Sequence, residues 1–566
     1  MKKLRLLAVL TSGTALSLGL ALGPVTTAAH AATSMVKHGG VLHVVMPWVT
    51  IPDNFNPLNP GTNSATAGGT GSAIYEPLAY DNTYTGAFTP VLATGWRWGN
   101  GNKTLTVTTR HGVNWNDGKP FSAADVAFTF NYLKKNPTVD SFGDWKTPLV
   151  SVKATSPDTV VFRYQSPDTV VLPFVLSQLI VPKHIFSKVA NPVTFTNLKP
   201  VGTGPFLLKS YNSTAVTYAK NMNYWMTGRP YINGITIQAV KSNDTAELLL
   251  LNGDAAYTYD AITDPNTTYV KAHPAWNKYW WPSISQNILY MNTQVAPFND
   301  VNLRKAVAMS LNDSVIADRA YFGSVSPASG AQEAGVTAGQ TSEWVPSSLS
   351  SLEWTYNPSG ALSLLESHGY KLVNGSLVGP SGTTLPTYKI LVGSGWTDFI
   401  SIAQTMSQEL LAIGIHTTID QEPWSTYYGD AQGGTFDFLV CWSNGNNATP
   451  YYEYYYMLSS AEAVQAGTKN VNTNYERYTS PAIDSILSNF SATTTLSQQK
   501  ADMVSIEKTV LTDVVAVPLT GRPNWFDYST RFFTGWPSTS NPYNAGEAPD
   551  AFNGGAEQLY LNVHLK

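Results

Sequence analysis

"RHGVNWNDGKPFSAADVAFTF", residues 110–130, carries its own punctuation. Asp117-Gly118 suits a tight turn, and Pro120 closes the loop just before a helix start. Ser122 and Asp125 stand at the spacing of a capping box, with Asp125 in place of the usual Glu. Val126, Phe130 and Leu133 then recur at i, i+4 and i+7, which is one buried face of a helix running to Lys135. Immediately upstream, "KTLTVTTR" (103–110) alternates as a half-buried strand does. A strand, a turn and a capped amphipathic helix in direct succession predict a mixed α/β chain.

The flanking sequence continues that pattern. "GGVLHVVMPW" (39–48) reads as a buried strand, followed by the Asn-, Gly-, Ser- and Thr-rich loop "NPLNPGTNSATAGGTGS" (56–72). "SPDTVVFRY" (156–164) is a turn feeding a strand. "NDVNLRKAVAMSLN" (299–312) starts on the cap Asp300, with Leu303, Val307 and Leu311 on one side. "DFISIAQTMSQELLAIG" (398–414) stripes Phe399, Ile402, Met406 and Leu410 and ends on Gly414. Strands and helices alternate irregularly, with no internal repeat and no long low-complexity linker, so domains joined by short crossings are expected.

Composition sets the class. At 566 residues the chain exceeds a single hydrophobic core. Only 13% of residues are charged, against about 25% in an average soluble protein. Lys2, Lys3 and Arg5 precede an apolar run from Leu6 to about Leu22, and Ala29-His30-Ala31 follows as a cleavage pattern, so residues 1–31 are expected to be a signal peptide. Removing them takes away three of the 34 basic residues and none of the 38 acidic ones, leaving a net charge of −7. A mildly acidic chain without basic runs argues against nucleic acid as a partner. Cys441 is the only cysteine, which excludes an internal disulfide and an N-terminal lipid-modified cysteine. The expectation is a monomer exported to a periplasm or cell surface, and the low charge density suits an acidic habitat.

Catalytic patterns are missing: no HExxH, no GxSxG, no P-loop and no GxGxxG opening a helix. Neither a cofactor nor a metal is implied. His184 and His416 read as structural residues, and Gly68–Ser72 as a flexible loop before an anion nest. Asp420, Glu422 and Asp437 offer carboxylates to a secreted glycoside hydrolase, the competing class of function.

Eight segments, in order, resemble the family 5 extracellular solute-binding proteins, the oligopeptide- and dipeptide-binding class that serves ABC importers. They are the opening stretch, "VPKHIF" (181–186), "PVGTGPFLL" (200–208), "NYWMTGRPYINGITI" (223–237), "PFNDVNLRKAV" (297–307), "YNPSGALSLLESHGY" (356–370), "LLAIGI" (410–415) and "FFTGWPSTSNPY" (532–543). The resemblance implies a two-lobed, periplasmic-binding-protein-like α/β fold (type II, large three-subdomain variant) with a central cleft and hinge. Lobe one would take residues 38–74, 200–297 and 525–566, with a subdomain at 75–199, and lobe two residues 298–524. Its function would be capture of oligopeptides by hinge closure and delivery to the membrane permease subunits of the transporter.

The same resemblance runs "DQEPWSTYYGDAQGGTFDFLVCWSNGNN" (420–447) along the lobe-two wall of the cleft. It implies ligand contacts from Trp424, Tyr427, Trp442, Asn444, Asn446 and Asn447. The family's acid for a peptide amino terminus, about three positions beyond the second aromatic, is absent here, and the segments around it hold no Arg or Lys. Glu453 or Asp430 would have to replace that acid. Asparagine amides with indole faces suit a neutral oligosaccharide, the alternative ligand, because amides bridge hydroxyl pairs and aromatic faces cover sugar C–H surfaces. The tyrosine run that follows, "YYEYYYM" (451–457), fits either a packed element under the cleft or further ligand contacts.

Overall fold

The computed structural model describes residues 36–47, 51, 53–59, 73–328, 341–345, 347–443, 448–463, 473–548 and 554–566. The expected signal peptide and Gly68–Ser72 lie outside these residues. Among the described residues, no helix is long and apolar enough to cross a membrane.

The strand Val41–Met46 lies centrally in a seven-stranded sheet, parallel to Gly234–Ala239 on one side and to Tyr257–Thr258 on the other. Leu42, Val44, Val45 and Met46 are buried, which is what covering a sheet on both faces demands of a parallel strand. Antiparallel strands complete the sheet out to Phe206–Asn212 at one edge and Asn277–Tyr279 at the other.

Residues 93–164 build a four-stranded antiparallel sheet, and the helix Ala123–Lys135 packs on it. The helix begins as its sequence predicts. The Ser122 hydroxyl accepts from the Ala124 amide at 3.3 Å, and the Asp125 carboxylate accepts from the Ser122 amide at 3.0 Å. Phe130 meets Phe162 edge-on at 4.8 Å inside this core. The motif "WNDGKPF" abuts "GTGPF", with the Asn116 amide donating to the Gly202 carbonyl at 2.9 Å. A Cβ on Gly202 would stand 1.9 Å from the carbonyl oxygen of Ile74, so only glycine fits. Gly202→Ala is expected to cost about 2 kcal/mol or more by forcing backbone apart. Urea unfolding with a lowered midpoint and unchanged slope would report it.

The five-stranded sheet runs in the order Thr417–Glu422, Tyr388–Gly393, Phe438–Trp442, Ser283–Met291, Ala516–Pro523. The first three strands are mutually parallel, and Ser283–Met291 is antiparallel to both of its neighbours. One edge of the sheet therefore carries the carboxyl ends of four strands. At that edge the chain passes between the two large sheets twice, through Trp281 and through Trp525, whose rings meet edge-on at 4.8 Å. The first crossing corrects the expected boundary near residue 297. Ser283–Met291 pairs along its length with Phe438–Trp442 and Ala516–Pro523, and that ladder draws it out of the seven-stranded sheet.

A third bridge lies away from the crossings. The Thr169 hydroxyl lies within hydrogen-bonding distance of the carbonyls of Ser491 (3.0 Å) and Thr493 (2.7 Å). Val170 joins the apolar cluster beneath the five-stranded sheet, and Phe174 meets Tyr452 at 4.8 Å. The tyrosine run forms the helix Tyr451–Leu458, with Tyr451, Tyr454 and Leu458 facing the core as i, i+3 and i+7 require.

Candidate functional site

Three tryptophans stand where three adjacent parallel strands end. Trp396 follows Tyr388–Gly393, Trp424 follows Thr417–Glu422, and Trp442 is the last residue of Phe438–Trp442. Open α/β sheets take ligands outside the carboxyl ends of their strands. The Trp396 centroid lies 5.7 Å from each of the other two. Trp424 and Trp442 are 6.2 Å apart with planes only 9° from parallel, and Tyr428 stacks on Trp424 at 4.7 Å. Gly393 makes this possible, because a Cβ there would fall 2.4 Å from the Trp396 indole. Trp424 remains 53% exposed, whereas the rings around it are buried or half-buried.

Beside the cluster, a cavity of about 200 Å³ opens between the two large sheets. Ala261 and Ile262 line it from beyond the strand Tyr257–Thr258, Trp281 and Trp525 from the crossings, and Tyr321 and Asp398 from the other side. Asp398 sits in the first turn of the helix Thr397–Leu410 and accepts from the Tyr321 hydroxyl at 3.1 Å. Burial raises its pKa, opposed by the Phe399 amide, by Tyr321 and by the charge of Arg522.

Of the residues expected at the ligand, Trp424 and Trp442 come together here, while Asn444, Asn446 and Asn447 lie outside the described residues. Tyr427 must be corrected. It is fully buried, packed edge-on against Trp396 with its hydroxyl donating to the Val440 carbonyl at 2.8 Å. Neither substitute acid faces the cavity. Glu453 is buried, and loss of hydration pushes its pKa well above the usual carboxylate range against the opposing pull of Ser443 and Arg522. Asp430 accepts from the Thr435 hydroxyl at 2.7 Å in the turn that ends its helix. Asp420 and Asp437 gather around Lys389, as the ion pair and the backbone acceptor respectively, and do not form an acid–base pair across a cleft. His184 bonds Asp117 at 2.7 Å, and His416 meets Ser376 at 3.0 Å; both are structural.

Sequence reading missed Trp396 and Arg522. The signal for Trp396 was an aromatic just past an apolar strand, as in the other two cases. Arg522 carried no local signal, since strand pairing alone brings it to the cluster, its guanidinium carbon 5.3 Å from the Trp442 ring centroid.

Two mixed sheets joined by paired crossings, with a cavity between them and an aromatic cluster at the adjoining strand ends, define a solute-binding protein of the two-lobed kind. A match to the bacterial extracellular solute-binding proteins, family 5 (middle), spans residues 87–465, and the chain belongs to that family, the substrate-binding components of ABC importers. It is 27% identical over 401 residues to the nickel-binding periplasmic protein of Escherichia coli K12, covering 69% of this chain and 73% of that protein. The periplasmic oligopeptide-binding protein of an oligopeptide ABC transporter from Thermotoga maritima superposes with a TM-score of 0.83 at 24% identity, covering 93% of this chain and 99% of that one. The same Thermotoga protein has been solved with mannohexaose bound, and that form gives a TM-score of 0.76. The oligopeptide-binding protein AppA of Bacillus subtilis, in complex with a nonapeptide, gives 0.69 at 20% identity, covering 90% and 99%.

Proposed function

We propose that this substrate-binding component captures an oligosaccharide in the space between its two large sheets and releases it unchanged to the importer. The observation that carries this reading is the convergence of Trp396, Trp424 and Trp442, two of them parallel within 9°. Flat indole faces match the C–H faces of pyranose rings, and they discriminate poorly among peptide side chains. Asn444, Asn446 and Asn447 follow Trp442 directly in sequence and supply amides for paired hydroxyls. Each side contributes contacts only when the ligand favours the closed arrangement over the open one.

Capture of oligopeptides is the second reading, and one observation favours it. Asp398 and Arg522 place opposite charges near the aromatic wall, as the two ends of a peptide require. A thermal-shift screen of the purified mature protein against both classes separates the readings. A ligand that binds only the folded state at 100-fold over its Kd adds about 2.7 kcal/mol of stability. Shifts with oligosaccharides support the proposal, and shifts confined to peptides refute it. Mass analysis of the bound ligand, unchanged after overnight incubation, is expected of a receptor and excluded for a hydrolase.

A further inference from the structure

Resting on the reading of this cleft as the ligand site, we propose that Arg522 selects ligands bearing a carboxylate and holds that group directly. The segment 420–447 lacks any Arg or Lys, which pointed to a neutral ligand. The five-stranded sheet reverses that conclusion. Arg522 lies opposite Ser285 on the strand Ala516–Pro523, three residues before the crossing at Trp525, and its guanidinium lies over Trp442.

Its bonding state sets it apart. Among the described residues, the other buried or partly buried arginines donate to backbone carbonyls: Arg110 to Val91, Arg229 to Leu561, Arg304 to Val514 and Arg477 to Tyr475. Arg522 is partly buried and makes no hydrogen bond and no ion pair within 4 Å among the described residues. The acidic groups that feel its charge do not neutralise it at contact. Glu453 is buried, which pushes its pKa up, and Asp398 is engaged by Tyr321. A guanidinium presents a planar fork of donors that matches a carboxylate edge on, and a ring beneath it holds the fork in plane. Because it stands next to a crossing, a bond to ligand there also ties occupancy to the position of the two sheets.

A carboxylate can come from a uronic acid or from a peptide terminus, and matched pairs distinguish them. The wild-type protein is titrated calorimetrically with trigalacturonate and its methyl ester, and with tetra-alanine and its carboxyl-terminal amide. At least one acid is expected to bind roughly 10- to 100-fold more tightly than its ester or amide. Arg522→Gln is expected to erase that preference while leaving the ester or amide within about threefold, and Arg522→Lys to restore part of it. A purely structural arginine would weaken both members of a pair alike, which would overturn the proposal. So would binding of the methyl ester without either acid, an outcome that leaves the oligosaccharide reading intact, or binding of no acid in either pair. A preference for the free peptide acid alone would sustain Arg522 and refute the oligosaccharide reading.

Discussion

Trp424→Ala is expected to abolish most ligand affinity while hardly changing stability. The side chain is half exposed, and its ring contacts are with Trp396, Tyr427, Tyr428 and Trp442. Its removal leaves those rings packed on the strands beneath, so the folding cost stays within about 1 kcal/mol. An aromatic anchor at the centre of a binding surface is worth about 2 kcal/mol or more, roughly a 30-fold loss in affinity. Trp442→Ala should behave differently. Trp442 packs against both apolar clusters that flank the five-stranded sheet and underlies Arg522. A tryptophan truncated in such packing costs about 3 to 5 kcal/mol of stability, in addition to binding. Calorimetric titration with the best ligand, together with thermal unfolding of each variant, checks both halves. Unchanged affinity in both variants would remove this wall from the site.

Thermal stability should be greatest near pH 4 and fall as the pH rises to 8, the reverse of the usual acid sensitivity. Many carboxyl groups are buried with little positive charge beside them. Glu76 and Glu557 share one site, with the Tyr224 hydroxyl 2.8 Å from Glu76 and 3.4 Å from Glu557. Burial and mutual repulsion keep a proton on that pair. Burial lifts Asp144 to about 8, helped by Asp140, and Asp81 to about 8, helped by Glu547. Burial takes Asp260 and Asp168 to about 7. A carboxyl whose pKa is higher in the folded state stabilises fully below its unfolded value, near 4. It loses that contribution as the pH climbs through the folded value. The window is thus pH 4 to 8, and each unit of difference is worth about 1.4 kcal/mol. Asp117, drawn below its usual range by His184 and the Lys119 amide, works in the opposite sense but is solvated. Melting curves from pH 3 to 9 test the slope. Glu557→Gln, which mimics the protonated form, should flatten it and raise the melting temperature at pH 8. A maximum at pH 7 with loss toward pH 4 would contradict this account.

What could be read from sequence follows from how local its cause is. The Ser122 cap, the Asp300 cap and the Gly414 stop depend on neighbours within one helical turn, and each formed as read. Trp424 and Trp442 were legible only through the family resemblance of the segment 420–447, which the strand ends beneath them then place together. Arg522 was not, since it reaches Trp442 only through two strand pairings that join residues 283–291, 438–442 and 516–523. The boundary near residue 297 failed for the same reason: a ladder with partners more than 140 residues away outweighed a local motif. Tyr427 was misassigned because Trp424 opens its helix at the exposed end, whereas Tyr427, a turn further in, packs under Trp396 and bonds Val440, contacts that no local pattern announces.

The indole cluster is expected to bind sugar as a receptor does. Calorimetric titration of the mature wild-type protein with oligosaccharides three to six units long should show saturable binding of one oligosaccharide per chain, with sugar recovered intact and affinity lost in Trp424→Ala. Saturation by peptides alone, or cleavage of the sugar, would rule this out.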